Sequence, residues 1–359
     1  MTDPPTKSYK KCKDKIKSFP RAATATSHIK KKLLLTCPPD HLLLSEFLRI
    51  AKFTMPDFPA LSEQVVLITG ASTGIGAALA RVLAQRFLGI RLVLAARNAE
   101  KLEAVATYCN KAGAEVLVVP TDMSNVEQVE ALARIALERF GRVDALVNNA
   151  GYGQMGPIEL VPAAAARRQF EVNVLGPLAL IRALIPVMRS SGGGRIINIS
   201  SIGGRVAFPF GGLYSASKFA LESLSDALRM ELEPFNIKVS AIEPGPVSTD
   251  FFDVAAQGVE QAVTSPETTP YRAAFEKLKG LQDQTSSRAW TSERVAEVIV
   301  RALTDANPKP RYTAATGGKI LLFLMTKVLP TKVVDRFWQR FYGIDLVAKD
   351  WQQKVVGNK

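Results

Sequence analysis

The tyrosine and lysine of Tyr214-Ser215-Ala216-Ser217-Lys218 are four residues apart, so a helix would hold both on one face. A phenol has an unperturbed pKa of about 10 and moves few protons near neutrality unaided. An ammonium at i+4 favours phenolate and lowers that value, which makes the pair a usable acid or base. A downward shift of roughly three units needs about 4 kcal/mol of differential stabilisation, which Lys218 and an oxidised nicotinamide could share. Ser201 follows the apolar run Ile196-Ile197-Asn198-Ile199 and supplies a hydroxyl that can bond and position a substrate oxygen. The pair alone is a cheap match, because Tyr9 and Lys13 satisfy the same spacing in a stretch with no sign of a fold. Its order relative to the rest of the chain carries the weight.

The elements around these residues follow a regular plan. Short apolar strands over Val65–Thr69, Arg91–Ala96, Val116–Pro120, Ala145–Asn148, Arg195–Ser200 and Lys238–Ile242 alternate with amphipathic helical patterns, and Arg311–Ala314 is a candidate seventh strand. Ser124-Asn125-Val126-Glu127 has the form of a capping box opening one helix. Strand–helix alternation predicts an α/β fold: a Rossmann-type, doubly wound parallel sheet flanked by helices on both faces, in a single domain.

The turn Thr69-Gly70-Ala71-Ser72-Thr73-Gly74-Ile75-Gly76 lies between the first strand and the helical pattern Ala77–Phe87. Gly70 suits a tight turn, Gly74 a close backbone approach to phosphate, and Gly76 the packing of helix on strand. The helix start that carries Thr73, Gly74 and Ile75 offers N–H groups to an anion such as a dinucleotide pyrophosphate. The second strand ends at Ala96 and Arg97, where an NAD site usually has a carboxylate for the ribose 2′-hydroxyl. A guanidinium there binds a 2′-phosphate, so the expected cofactor is NADP(H), with the Ser72 hydroxyl placed for the same phosphate. An ordinary solvated surface arginine is the competing reading of Arg97.

Composition excludes other classes. The net charge is +13. A surplus of eight positive charges falls within residues 1–54, so a nucleic-acid face on the folded part is not expected. Both histidines, His28 and His41, lie in that segment too, which removes histidine as acid, base or metal ligand from Met55 onward. No metal site is expected: Cys12, Cys37 and Cys109 form no ligand pattern, and they suit a reducing, cytoplasmic setting. Gly70-Ala71-Ser72-Thr73-Gly74 has the form of a nucleophile elbow, but no histidine follows it. Ser215-Ala216-Ser217-Lys218 matches S-x-x-K without its companion motifs. No apolar run approaches the ~20 residues of a membrane span.

Glycine turn, Asn173, Ser201, Tyr214 and Lys218, in this order, resemble the short-chain dehydrogenase/reductase family, and Tyr152 with Pro310-Arg311-Tyr312 is similar to its hydroxysteroid and retinol dehydrogenase-like members. The resemblance covers roughly Pro59 to Leu346. It implies hydride transfer between the cofactor and a ketone or aldehyde and its alcohol, with a tetrad of Asn173, Ser201, Tyr214 and Lys218. Asn173 would hold a water in a proton relay to Lys218, and Tyr214 and Lys218 would also touch the cofactor. The resemblance further implies that Asp122 and Met123 lie at the adenine, that Asn149, Ala150 and Gly151 form a structural and cofactor-binding turn, and that Pro244, Gly245, Val247 and Thr249 hold the nicotinamide end. Assembly as a homodimer or homotetramer through the helices bearing Asn173 and Tyr214 is implied as well.

The substrate is least legible. Asp250–Ser287 shows little regular patterning and is read as a lid, with Phe251, Phe252, Tyr271 and Phe275 in it. Together with Phe208 and Phe210 these suggest a small apolar carbonyl or alcohol, although core packing accounts for each aromatic equally well. Residues 1–54 are read as a basic, disordered extension in which Leu42–Phe53 could be a short amphipathic helix. Residues 55–318 form the catalytic domain, and 319–359 an amphipathic helical extension that could cap the cleft, join an oligomer or lie peripherally on a membrane. A 3-oxoacyl reductase and a catalytically silent NADP(H)-binding scaffold stay open as alternatives.

Overall fold

Val65–Thr69 is buried at every position, as a strand covered on both faces must be. Six further strands join it in one parallel sheet. They are β1 (Val65–Thr69), β2 (Arg91–Ala96), β3 (Glu115–Pro120), β4 (Ala145–Asn148), β5 (Gly194–Ile199), β6 (Ile237–Pro244) and β7 (Arg311–Ala314), in the order β3-β2-β1-β4-β5-β6-β7. This computed structural model describes residues 59–263, 265–278 and 289–357. The expectations for residues 1–54, including Leu42–Phe53, and for the lid residues 279–287 lie outside the described residues.

Helices cover both faces. One core layer joins Leu79 and Leu83 of α1 (Gly74–Arg86), Leu102 of α2 (Ala99–Lys111) and Ile299 of a later helix, Ser292–Thr304. The other joins Leu132 of α3 (Val126–Phe140), Leu184 of the helix Gly176–Ser190 and Leu228 of the helix Gly212–Leu232. Cys109 is buried in the first layer, and burial pushes its thiol up to about 11, so it is no nucleophile. The helical run Ala163–Ser190 is long and apolar enough to cross a bilayer by composition. Its Leu180, Ile181 and Leu184 pack into the core.

The expected doubly wound sheet is present. β1 pairs with β2 on one side and β4 on the other, and both connections are parallel. Strand order therefore reverses between β1 and β4, which opens a crevice at their carboxyl ends. Two local expectations are corrected. α3 is capped by Asn125, whose side chain accepts from the Gln128 N–H, one residue later than the Ser124 box. Ser124 is occupied instead, its N–H and hydroxyl both donating to Asp122 Oδ1. Within the lid, Phe251–Ala262 is a regular helix, and residues 272–278 are helical too.

Candidate active site

The turn after β1 is built from backbone. Gly70 and Gly74 adopt φ of 65° and 54°, a region that suits glycine. A Cβ on Gly76 would lie 2.3 Å from the Gly70 carbonyl oxygen, so only glycine lets the start of α1 sit this close to the strand. A Cβ on Gly74 would meet Thr249 Cγ2 at 3.1 Å, so Gly74 also lets the Pro244–Thr249 segment close down on the turn. Thr73 makes no side-chain cap. Among the described residues no side chain bonds the N–H groups of Gly74, Ile75 and Gly76, as an anion cradle requires.

The turn after β4 is bolted to this one. Asn149 Nδ2 donates to the carbonyls of Thr69 (2.9 Å) and Gly70 (3.1 Å). The Asn149 and Ala150 N–H groups both donate to Thr69 Oγ1, at 3.0 Å each. Thr69 was not singled out by sequence, because a threonine ending a strand has no distinctive pattern.

Asn173 sits in a π-type widening, Glu171–Leu175, between the helices Ala163–Phe170 and Gly176–Ser190. Such widenings often mark functional positions. A Cβ on Gly176 would lie 2.2 Å from the Met123 carbonyl oxygen, so this glycine lets the helix approach the end of β3. Asn173 Nδ2 donates to the Tyr152 carbonyl (2.9 Å) and Ser217 Oγ (3.1 Å), and its Oδ1 accepts from the Tyr152 N–H (3.1 Å). Gln169, one turn earlier, donates to the same carbonyl at 2.6 Å. Gln169 and Ser217 are further positioning residues that sequence reading missed; the i, i+4 spacing of Gln169 and Asn173 was the available signal.

Tyr214 and Lys218 lie on the helix Gly212–Leu232, both buried, with Lys218 Nζ 5.9 Å from the Tyr214 ring centre. Lys218 Nζ donates to the Ile199 carbonyl at 2.8 Å, which ties it to the end of β5. A Cβ on Gly151 would fall 3.1 Å from Asn173 Oδ1 and 3.3 Å from Lys218 Nζ, so these two groups converge on the turn after β4. A Cβ on Gly203 would sit 3.4 Å from both Ser201 Oγ and the Tyr214 ring. The four residues of the expected tetrad are thus gathered at the carboxyl ends of β4 and β5.

The electrostatics depart from expectation. Burial pushes the Tyr214 phenol up to about 12, opposed by its hydrogen bond with Ser201. Burial pulls Lys218 down to about 8, opposed by the Glu222 carboxylate. In the protein by itself desolvation outweighs the Ser201 hydrogen bond, and Tyr214 rests as a protonated phenol. That is the form that donates a proton to an oxyanion.

The expected adenine and phosphate positions lie nearby. Burial acts against the Asp122 carboxylate, but its bonds from Ser124 and the Arg168 guanidinium hold it below the usual range. Arg97 stands exposed just beyond β2, and among the described residues it makes no ion pair. The Pro244–Thr249 segment is fixed by Trp290, which sequence reading missed. The Trp290 N–H donates to the Pro246 carbonyl at 2.9 Å, and the Trp290 carbonyl accepts from the Ser248 N–H at 2.9 Å. Gly245 N–H donates to the Ala314 carbonyl at 3.2 Å, and Val247 is buried. Glycine cradle, uncapped helix start and the buried Lys218 together fit a nicotinamide dinucleotide.

Aromatics wall the other side. Phe251 lies 5.4 Å from Tyr214, ring centre to ring centre. Phe210 has φ of 64°, unusual for an aromatic residue, and packs on Tyr271 (5.8 Å), Phe275 (5.7 Å) and Tyr342 (6.3 Å). Phe208 stacks on Tyr342 at 5.6 Å. The side chain of Phe252 lies outside the described residues.

The family model for short chain dehydrogenase matches residues 64–260. Human 17-beta-hydroxysteroid dehydrogenase type 1 is 34% identical over 258 residues, spanning 70% of this chain and 77% of the relative. A short chain dehydrogenase/reductase from Burkholderia phymatum, solved in complex with NAD, superposes with a TM-score of 0.64 at 32% identity, covering 73% of this chain and 92% of that one. A metagenomic short-chain oxidoreductase in complex with NADP gives 0.56 at 33%, covering 70% and 97%. With the glycine cradle, the parallel sheet and the Tyr214–Lys218 pair in place, the chain belongs to the short chain dehydrogenase family, as an oxidoreductase that uses a nicotinamide cofactor.

Proposed function

We propose that the protein is an NADP(H)-dependent reductase or dehydrogenase that interconverts an apolar ketone or aldehyde and its alcohol. The observation that carries the cofactor half is Arg97, a guanidinium that among the described residues makes no ion pair, where an NAD site would place a carboxylate. The nicotinamide, when bound, supplies or accepts the hydride. The chain's own groups do the rest. Ser201 bonds and orients the substrate oxygen. Tyr214 gives that oxygen its proton in reduction and takes it back in oxidation. Lys218 supplies positive charge behind the phenol, and Asn173 fixes the Tyr152 backbone beside it. The aromatic wall of Phe208, Phe210 and Phe251 excludes water and favours an apolar substrate.

The same reading includes a homodimer or homotetramer assembled through the helices that carry Asn173 and Tyr214, where Leu175, Phe219 and Met230 stand exposed. It places the enzyme in a reducing, cytoplasmic setting.

Titration of NADPH and NADH against the native protein and Arg97→Ala tests the cofactor assignment. Arg97→Ala is expected to weaken NADPH by about 10–100-fold, the range of a charge-assisted contact, and to leave NADH nearly unchanged. Equal losses, or a native preference for NADH, would sink it. A panel of ketones, alcohols and acyl thioesters followed by NADPH absorbance defines the substrate.

A further inference from the structure

We infer that the C-terminal helices form a docking surface for an anionic lipid membrane. They are the helix Gly318–Phe323, its continuation Leu324–Val328, and the helix Thr331–Tyr342. Among the described residues eighteen large apolar side chains stand exposed, and eight of them fall between Ile320 and Phe337. Ile320 and Phe323 are 68% and 60% exposed, values that a soluble surface seldom concentrates in one short segment. The apolar residues are not a misplaced part of the core. The helix Thr331–Tyr342 already buries its other side, where Trp338 and Tyr342 pack against Phe208 at 6.1 and 5.6 Å. Val333 and Phe337 stay exposed beside that contact, and with Arg336 and Arg340 they line an open groove.

Charge selects the occupant. From Lys319 to Tyr342 the chain carries Lys319, Lys327, Lys332, Arg336 and Arg340 against the single acid Asp335. All five cations are exposed, and among the described residues none is in an ion pair. A second copy of the same face would bring like charges together, which opposes self-association. A surface that is negative at its headgroups and apolar beneath satisfies both features at once, because lysine and arginine reach the headgroups while the apolar side chains enter the acyl boundary.

Trp338 and Tyr342 also join this surface to the aromatic wall beside Tyr214. On the reading that the substrate is apolar, docking would bring the cleft to the edge of the phase in which such a substrate dissolves. The docking itself does not depend on that reading.

Flotation of the full chain with vesicles tests it. The vesicles are phosphatidylcholine alone, or phosphatidylcholine with about 30% phosphatidylserine, which gives a negative surface potential. The basic residues 1–54 are shared by every variant, so the decisive comparison is between variants. The full chain is expected to partition at least ~10-fold more strongly onto the anionic vesicles. The double variant Ile320→Glu/Phe323→Glu is expected to lose ~10-fold or more of that partitioning, with its thermal midpoint and NADPH affinity unchanged. Lys327→Glu/Lys332→Glu should lose binding to anionic vesicles while gaining none to neutral ones. Undiminished partitioning of Ile320→Glu/Phe323→Glu would overturn the proposal. So would failure of the native chain to float with either vesicle, or a concentration-dependent dimer in light scattering that the same substitutions abolish. None of these readouts uses turnover, so a wrong substrate assignment would leave the docking result intact.

Discussion

The cofactor end and the substrate end of this molecule are made differently. The first is backbone held at close quarters: Gly76 against the Gly70 carbonyl, Asn149 across two carbonyls, Thr69 under two N–H groups. The second is side chain against side chain, with Phe208, Phe251, Tyr271 and Tyr342 brought from widely separated stretches. A backbone cradle tolerates almost no change in residue type and has fixed spacing, so it holds a ligand common to many relatives. An aromatic wall can be rebuilt by exchanging rings, so it sets what is particular to this protein.

Lys218 joins the two ends and should give the largest effect. Lys218→Met is expected to cut turnover by ~10² or more, in the range for loss of acid–base support, and to weaken the cofactor as well. It also carries a pH signature. Lys218 titrates at about 8 when folded against an ordinary 10.5, so between these values the unfolded chain binds the extra proton. Native stability should therefore rise as pH rises through that window, by on the order of 3 kcal/mol in all. In Lys218→Met this rise should be gone. Urea melts at a series of pH values check it, and an unaltered rise in the variant would mean that the lysine is not buried as a charge.

Gly76→Ala attacks the cofactor end alone. The added methyl would meet a backbone oxygen, which cannot rotate away. Stability should fall by about 1–3 kcal/mol and NADPH binding by at least ~10-fold. A variant that binds NADPH normally would show that the turn has slack. At the other end, Tyr342→Ala removes the ring stacked on Phe208 and should cost about 1–2 kcal/mol. NADPH affinity should stay within a factor of about two, since no part of the cradle touches Tyr342. Loss of cofactor binding in this variant would erase the distinction between the ends.

The same contrast decides what could be read in the sequence. β1, β2, β4 and β7 have the expected bounds, because a buried parallel strand is a short apolar run bracketed by turn residues. The glycine turn was legible since each glycine answers to a local backbone demand. Phe251–Ala262 was read as irregular because Gly258 interrupts it and no clean polar face appears; a tertiary bond from Gln154 Nε2 to the Gly258 carbonyl at 3.0 Å helps hold it. The cap of α3 was misplaced by one residue since Ser124 and Asn125 are both good caps, and Asp122 had already claimed the serine. Trp290 works through backbone contacts with Pro246 and Ser248 that spacing along the chain does not reveal. The direction of the Tyr214 shift was missed because its burial, unlike its i+4 neighbour, is not written locally.

The central claim is that Tyr214 is the proton donor of a nicotinamide-dependent reduction. Tyr214→Phe keeps the ring beside Phe251 and removes only the hydroxyl. Single-turnover reduction at saturating NADPH, on any ketone that the native protein accepts, is the most direct test. Cofactor affinity should be near native and the rate lower by ~10²–10⁴. A rate close to that of the native protein would contradict the account.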